Sequence, residues 1–268
     1  MKKLLNSSVA VFIFIFFLQS CATVPLTGRR QLNLMPESDM ISLGLTSYNE
    51  FMKENAVSRD RSNTAMVKDV GNDIARAVNK YFKENNLQDK LQGYKWEFNL
   101  IKNDSIPNAW ALPGGKVAVY SGILPYTRDK NGMAVVVSHE IAHAVARHGN
   151  ERMSQMLMLQ LGGMAMNEAI KSKPEETKGI YNTIYGIGAQ LGVMLPYSRD
   201  HELEADRMGL IFMAMAGYNP ESAVSFWERM ASSGGGSPPE FLSTHPSDGS
   251  RISKIKAALP EAMKYYKK

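Results

Sequence analysis

Two periods alternate along this chain. From Asn63 to Asn85 the apolar positions Met66, Val70, Ile74, Val78 and Tyr81 recur at helical spacing, while Lys, Asp and Asn fill the other face. An earlier helix is predicted from about Pro36–Ser38 to Glu54, with Met40, Leu43 and Phe51 turned inward. The period then drops to two. Trp96–Ile101 alternates as a strand does, and Ala109–Leu112 and Lys116–Tyr120 flank Pro113-Gly114-Gly115, the signature of a hairpin. From about Asn131 onward every pattern is helical: Asn131–His148, a helix after Glu151, and others near Gly179–Leu195, Ser198–Gly217, Pro220–Met230 and Ser247–Leu259. Ser232–Pro239 is rich in Gly, Ser and Pro and reads as a loop. The expected class is α+β and mostly α-helical, with a small antiparallel sheet of about three strands.

One helix departs from amphipathicity. Met133–Val137 and Ile141–Ala146 are apolar on nearly every side, the mark of a buried helix. Between them stand His139, Glu140 and His143. Burying such groups is costly unless they are paired or coordinate an ion. Residues i and i+4 share a helix face, so both imidazoles can reach one metal, and Glu140 reaches a water beside the metal rather than the metal itself. A third ligand is expected from Ser198–Asp206, where Glu202 and Asp206 lie four apart on one face and Glu204 points elsewhere. Glu202 on the metal, with Asp206 behind a ligand histidine, is the simple arrangement; His201, about 100° further round that helix, competes for the same role. A third histidine at the longer H-E-x-x-H-x-x-G-x-x-H spacing is excluded, because Ala146 and Gly149 occupy those positions. His148 is expected to cap or pack at the helix end.

The N-terminus carries its own signal. Lys2 and Lys3 precede the apolar run Leu4–Leu18, which ends in Leu18-Gln19-Ser20-Cys21. Cys21 is the chain's one cysteine. The arrangement resembles a bacterial lipobox, with residues 1–20 a signal peptide, Cys21 the lipid attachment site, residues 21–35 a tether and residues 36–268 a single domain. On that reading the protein is anchored by lipid in a bacterial envelope, with the domain in the periplasm and the outer membrane as the expected address. The folded part then contains no thiolate, so any metal is left to His, Asp and Glu. The formal charge of +5, less the two leader lysines, gives +3. That is mild, no basic cluster is interleaved with aromatics, and nucleic acid is not an expected partner. The methionines of Met153–Met166 are read as core in preference to an adaptable binding wall.

His139-Glu140-x-x-His143, followed by Ser198-Arg199-x-x-Glu202-x-Glu204-Ala205-Asp206-x-x-Gly209, resembles the BepA/HtpX-type gluzincin metallopeptidases, a family related to the CAAX prenyl endopeptidases. Asn108-Ala109-x-x-Leu112-Pro113-Gly114-Gly115 and Ser243-Thr244-His245-Pro246-x-x-x-x-Arg251 agree with it. The resemblance implies a zincin-like domain that binds one Zn2+ through His139, His143 and Glu202, with Glu140 catalytic and Asp206 supporting the site. It implies that His245 lies over the zinc, as a transition-state donor or as a fourth ligand that keeps the enzyme latent. The expected branch is secreted and lipidated, without tetratricopeptide repeats. The expected reaction is hydrolysis of peptide bonds in misfolded or stalled envelope proteins; a chaperone-like factor that binds unfolded chains is the rival. Polypeptides, unfolded or extended, are the expected partners. Asn108–Tyr120 is expected to offer them an edge strand.

Overall fold

A computed structural model describes residues 21–170, 198–232, 240–245 and 249–267. The chain divides into two compact units, residues 1–36 with 150–195 and residues 37–149 with 196–268. The leader, the expected helix near Gly179–Leu195 and most of the Ser232–Pro239 loop fall outside the described residues.

In the first unit, β1 (Cys21–Thr23) pairs antiparallel with β2 (Arg30–Leu32). The Arg29 guanidinium donates to both Glu151 carboxylate oxygens, at 2.9 and 2.7 Å, and Ser154 Oγ accepts from Leu34 N–H at 2.8 Å. These bonds tie the hairpin to α5 (His148–Ile170), whose residues from Asn150 on belong to this unit. Met158, Leu161 and Met164 of that helix are exposed, so the expected core role of the methionine-rich segment is corrected. The segment is apolar almost all round, so its sequence does not specify a single buried face.

The second unit opens with α1 (Glu37–Glu54) and α2 (Arg61–Glu84). Asp60 caps α2 by accepting from Asn63 N–H at 3.0 Å. The buried stripe of α2 is Val67, Val70, Ile74, Val78 and Phe82, displaced by one position at each end from the expected Met66 and Tyr81. On α1, Met40, Gly44 and Tyr48 are buried while the expected inward Leu43 is exposed. Gly71 lets α2 approach the sheet: a Cβ there would meet the Phe98 ring at 2.3 Å.

The sheet contains β3 (Glu97–Ile101), β4 (Ala109–Leu112) and β5 (Lys116–Tyr120) in the order β3-β5-β4. The hairpin β4–β5 is antiparallel as expected, with Gly114 and Gly115 at φ +88° and +86°, but β3 and β5 run parallel. The expectation of a wholly antiparallel sheet is therefore corrected. Val117, Ala118 and Val119 are buried on both faces, which suits the central strand, whereas Trp110–Leu112 remain partly exposed and form the edge. The loop after β3 carries the chain past the position of β5 before the hairpin returns it.

α3 (Leu124–Thr127) leads to α4 (Lys130–Val145), capped by the Asp129 side chain accepting from Gly132 N–H at 2.9 Å. Every residue of α4 from Gly132 to Val145 is buried. Its β-branched run Val135–Val137 is a weak helix former, so packing against α2, the sheet and α6 (Arg199–Met215) holds it. Ser198 caps α6 by accepting from His201 N–H at 3.2 Å. Gly209 permits the α4–α6 crossing: a Cβ there would sit 3.1 Å from His139 N and 3.2 Å from its Cα. α7 (Ser222–Ser232), α8 (Glu240–Thr244) and α9 (Arg251–Ala262) complete the unit. The last helix thus begins four residues later than expected. Among the described residues no helix is long and apolar enough to cross a membrane.

α4 does not run on to His148. Arg147 adopts φ +61°, a left-handed conformation that arginine has no preference for and that breaks the helix. Arg147 is held there by Glu37, 3.1 Å from its Nε, and by a bond from its guanidinium to Lys90 C=O at 3.3 Å. His148 consequently turns back against α4 and is fully buried, packed just past the helix end, while the helix itself stops short of its expected end at His148.

Candidate metal centre and active site

α4 supplies His139, Glu140 and His143, α6 supplies Glu202 and Asp206, and the residue after α8 is His245. One donor atom from each of His139, His143, Glu202 and His245 lies within 4.8 Å of all the others, and all four residues are buried. His139 Nε2 is 3.1 Å from His143 Nε2 and 3.3 Å from both His245 Nδ1 and Glu202 Oε2. Glu202 Oε1 is 3.3 Å from His143 Nε2 and 3.1 Å from His245 Nδ1.

These separations test whether the residues fit an ion. Four ligands at the usual 2.0–2.1 Å from zinc, arranged tetrahedrally, stand about 3.3–3.4 Å apart. Several donor separations, 3.1–3.3 Å, are close to that value, and one donor atom from each residue lies within 4.8 Å of the others. The set is imidazole and carboxylate only, which suits zinc. The residues fit the metal. His201, the competing candidate, is buried but stacks on His148 with ring centroids 4.4 Å apart and lies outside the donor group.

The surroundings hold the donors in orientation. Asp206 Oδ1 is 3.0 Å from His139 Nδ1, on the ring edge opposite the donor cluster. Arg251 is 2% exposed and reaches Asp206 through two bonds of 2.8 Å, from Nε and from Nη2. Its Nη2 also lies 3.2 Å from Glu202 Oε2, its Nη1 donates to His245 C=O at 3.2 Å, and its plane lies 3.5 Å over the Trp227 ring. Glu140 Oε1 lies 3.3 Å from His245 Nε2.

The electrostatics follow from burial opposed by charge. Burial disfavours a charge on His139, but the carboxylates of Asp206 and Glu202 outweigh it and lift the pKa to about 9. Burial drives His143 well below its ordinary value and Glu140 above its own. For Glu202 and Asp206 burial acts upward, yet His143 and its neighbours hold Glu202 down and Arg251 holds Asp206 down.

Sequence reasoning brought together His139, Glu140, His143, Glu202, Asp206 and His245, and the structure places all six at this centre. It gave Arg251 no role, and it set Glu204 and His148 aside. Glu204 lies 3.0 Å from His148 Nε2, and His148 Nδ1 lies 2.8 Å from His143 Nδ1. The signal available was density: His201, Glu202, Glu204 and Asp206 are four ionisable residues in six positions, all buried. Arg251 had no such signal, because one arginine at a helix start reads as surface.

Two histidines one turn apart, a glutamate between them and a second glutamate from another helix define a zinc metalloendopeptidase of gluzincin type. The chain belongs to peptidase family M48, whose sequence profile matches residues 68–259. It is 31% identical over 252 residues to the mitochondrial metalloendopeptidase OMA1 of Schizosaccharomyces pombe, covering 92% of this chain and 69% of that protein. Against the Saccharomyces cerevisiae protein of the same name it is 34% identical over 205 residues, 74% of this chain. The chain spans little more than half, 57%, of that relative. It is 26% identical over 237 residues to the metalloprotease YcaL of Escherichia coli, covering 86% of this chain and 91% of that one. The relatives from the two yeasts are mitochondrial, which overturns the bacterial outer-membrane address expected from the leader.

Proposed function

We propose that His139, His143 and Glu202 hold one zinc ion, that Glu140 is the catalytic base, and that the chain hydrolyses peptide bonds of unfolded or stalled polypeptides. The observation that carries this reading is the convergence of four buried donors within 4.8 Å of one another, with Glu140 beside them. When bound, the zinc supplies Lewis-acid polarisation of the scissile carbonyl and lowers the pKa of the attacking water. Glu140, whose pKa burial raises, takes the proton of that water and returns it to the leaving nitrogen. The Asp206 carboxylate, 3.0 Å from His139 Nδ1, favours the proton on that nitrogen, so that Nε2 is left free of it and faces the donor cluster. Because β4 is the sheet edge nearest Glu140, an extended substrate would lie along it through main-chain bonds, with little demand on side-chain sequence. The assignment to the BepA-like lipoprotein branch, with Cys21 as lipid attachment point, belongs to the same proposal and rests on the leader pattern.

His245 decides the resting state. Its Nδ1 completes a fourth corner of the donor set and its Nε2 faces Glu140, so it occupies the corner that substrate water needs. This favours a latent resting form, opened when the His245 side chain leaves that corner. With a dye-labelled denatured protein and its folded counterpart as substrates, the wild type is expected to cleave the denatured form. His245→Ala is expected to cleave it faster, by roughly tenfold for each ~1.4 kcal/mol that His245 contributes to the closed state. A slower variant assigns His245 to transition-state stabilisation instead, and an unchanged rate removes it from both roles.

A further inference from the structure

The two ligand histidines need the same help and obtain it differently. His139 has Asp206 directly behind it. Behind His143 stands a second imidazole, His148, and behind that a carboxylate, Glu204. We propose that His148 and Glu204 form a relay that positions His143 for the metal, a role that rests on the zinc-site reading above. His143 Nε2 faces His139 Nε2 at 3.1 Å and Glu202 Oε1 at 3.3 Å, so a ligating His143 carries its proton on Nδ1. That proton points at His148 Nδ1, 2.8 Å away, which must then be an acceptor. A neutral imidazole that accepts at Nδ1 holds its proton at Nε2. His148 Nε2 lies 3.0 Å from Glu204 Oε2, an acceptor only. One directed chain fits these contacts: His143 Nδ1–H to His148, and His148 Nε2–H to Glu204.

The pieces are fixed in place. His148 is fully buried and Glu204 nearly so, so bulk water cannot replace either partner. His201 stacks on the His148 ring at an interplanar angle of 18°, setting its plane. The left-handed backbone at Arg147 turns His148 back to face His143, and α6 carries both Glu202 and Glu204. The same helix therefore holds the metal's carboxylate ligand and the carboxylate that orients an imidazole ligand. His148 and Glu204 are positioning residues: they act through His143 and touch no reacting atom.

Volume and hydrogen bonding make opposite demands, which gives the test. Zinc affinity of the full-length protein is measured by competition with a chromophoric chelator, and folding by thermal unfolding. His148→Phe keeps the ring volume but has no acceptor, and is expected to weaken zinc by roughly 10–100-fold. His148→Asn is smaller but keeps an acceptor oxygen near the Nδ1 position, and is expected to recover most of that loss. If Phe binds zinc as tightly as wild type, or more tightly than Asn, His148 is only packing and the relay is wrong. A measurement on the wild type guards against variants that fail to fold. Histidine 15N spectra of the zinc-loaded protein are expected to show His148 protonated at Nε2 and His143 at Nδ1. His148 protonated at Nδ1 overturns the proposal. A wild type that binds no zinc, or a His143→Ala variant that binds it undiminished, brings down the zinc-site reading itself and the relay with it.

Discussion

Glu140→Gln is expected to fold normally, to keep its metal, and to lose peptide hydrolysis by about 10²–10⁴-fold, the range over which a positioned general base contributes. Glu140 is 2% exposed, and its Oε1 has no hydrogen-bond donor although His245 Nε2 lies 3.3 Å away. Glutamine has the same shape, so the packing of the helix stays in place. What it lacks is a carboxylate able to hold the proton of the attacking water. Burial already raises the Glu140 pKa, which brings the group nearer the operating range of an acid–base catalyst. Single-turnover cleavage of a denatured substrate, with metal content measured on the same preparation, checks both halves. A rate within tenfold of wild type at full metal content removes Glu140 from the chemistry.

Arg251→Met is expected to destabilise the fold by about 3–5 kcal/mol, the usual consequence of breaking a buried ion pair from one side. Methionine fills a similar volume, so packing loss is minor beside the electrostatic loss. The arginine is the cation that lets Asp206 and Glu202 remain ionised four residues apart on one buried helix face. Without it, Asp206 keeps only His139, and the guanidinium's contact with Trp227 is lost. The pairing holds the Asp206 pKa below its ordinary value. Its contribution is therefore complete above the unfolded carboxylate pKa of about 3.9, and fades as pH falls through the lower folded value. Urea unfolding at neutral pH measures the loss, and Arg251→Met combined with Asp206→Asn is expected to recover part of it. A loss under about 1 kcal/mol means that the carboxylates are neutralised by other groups.

The elements and the centre were unequally visible in the sequence. Strong periodicity gave α2 and the Pro-Gly-Gly hairpin nearly to the residue, because local chemistry alone fixes them. Strand order was not visible, since β3 pairs with β5 across an intervening strand and only burial of Val117–Val119 on both faces decides it. The histidines and glutamate of α4 were legible because polar groups inside an apolar helix demand a partner. Glu202 was legible by its spacing to Asp206. The early end of α4 before His148 was not legible, because the break at Arg147 depends on contacts with Glu37 and Lys90 that lie more than fifty residues away in sequence. Arg251 was missed for a related reason: its partners come from α6, α7 and the residue after α8.

The direct measurement of the central claim is zinc bound per full-length chain, for the wild type and for Glu202→Ala. One zinc per wild-type chain is expected, with affinity falling by roughly 100-fold or more when the Glu202 carboxylate is removed. A wild type without zinc, or a Glu202→Ala variant that binds it as tightly, contradicts the account.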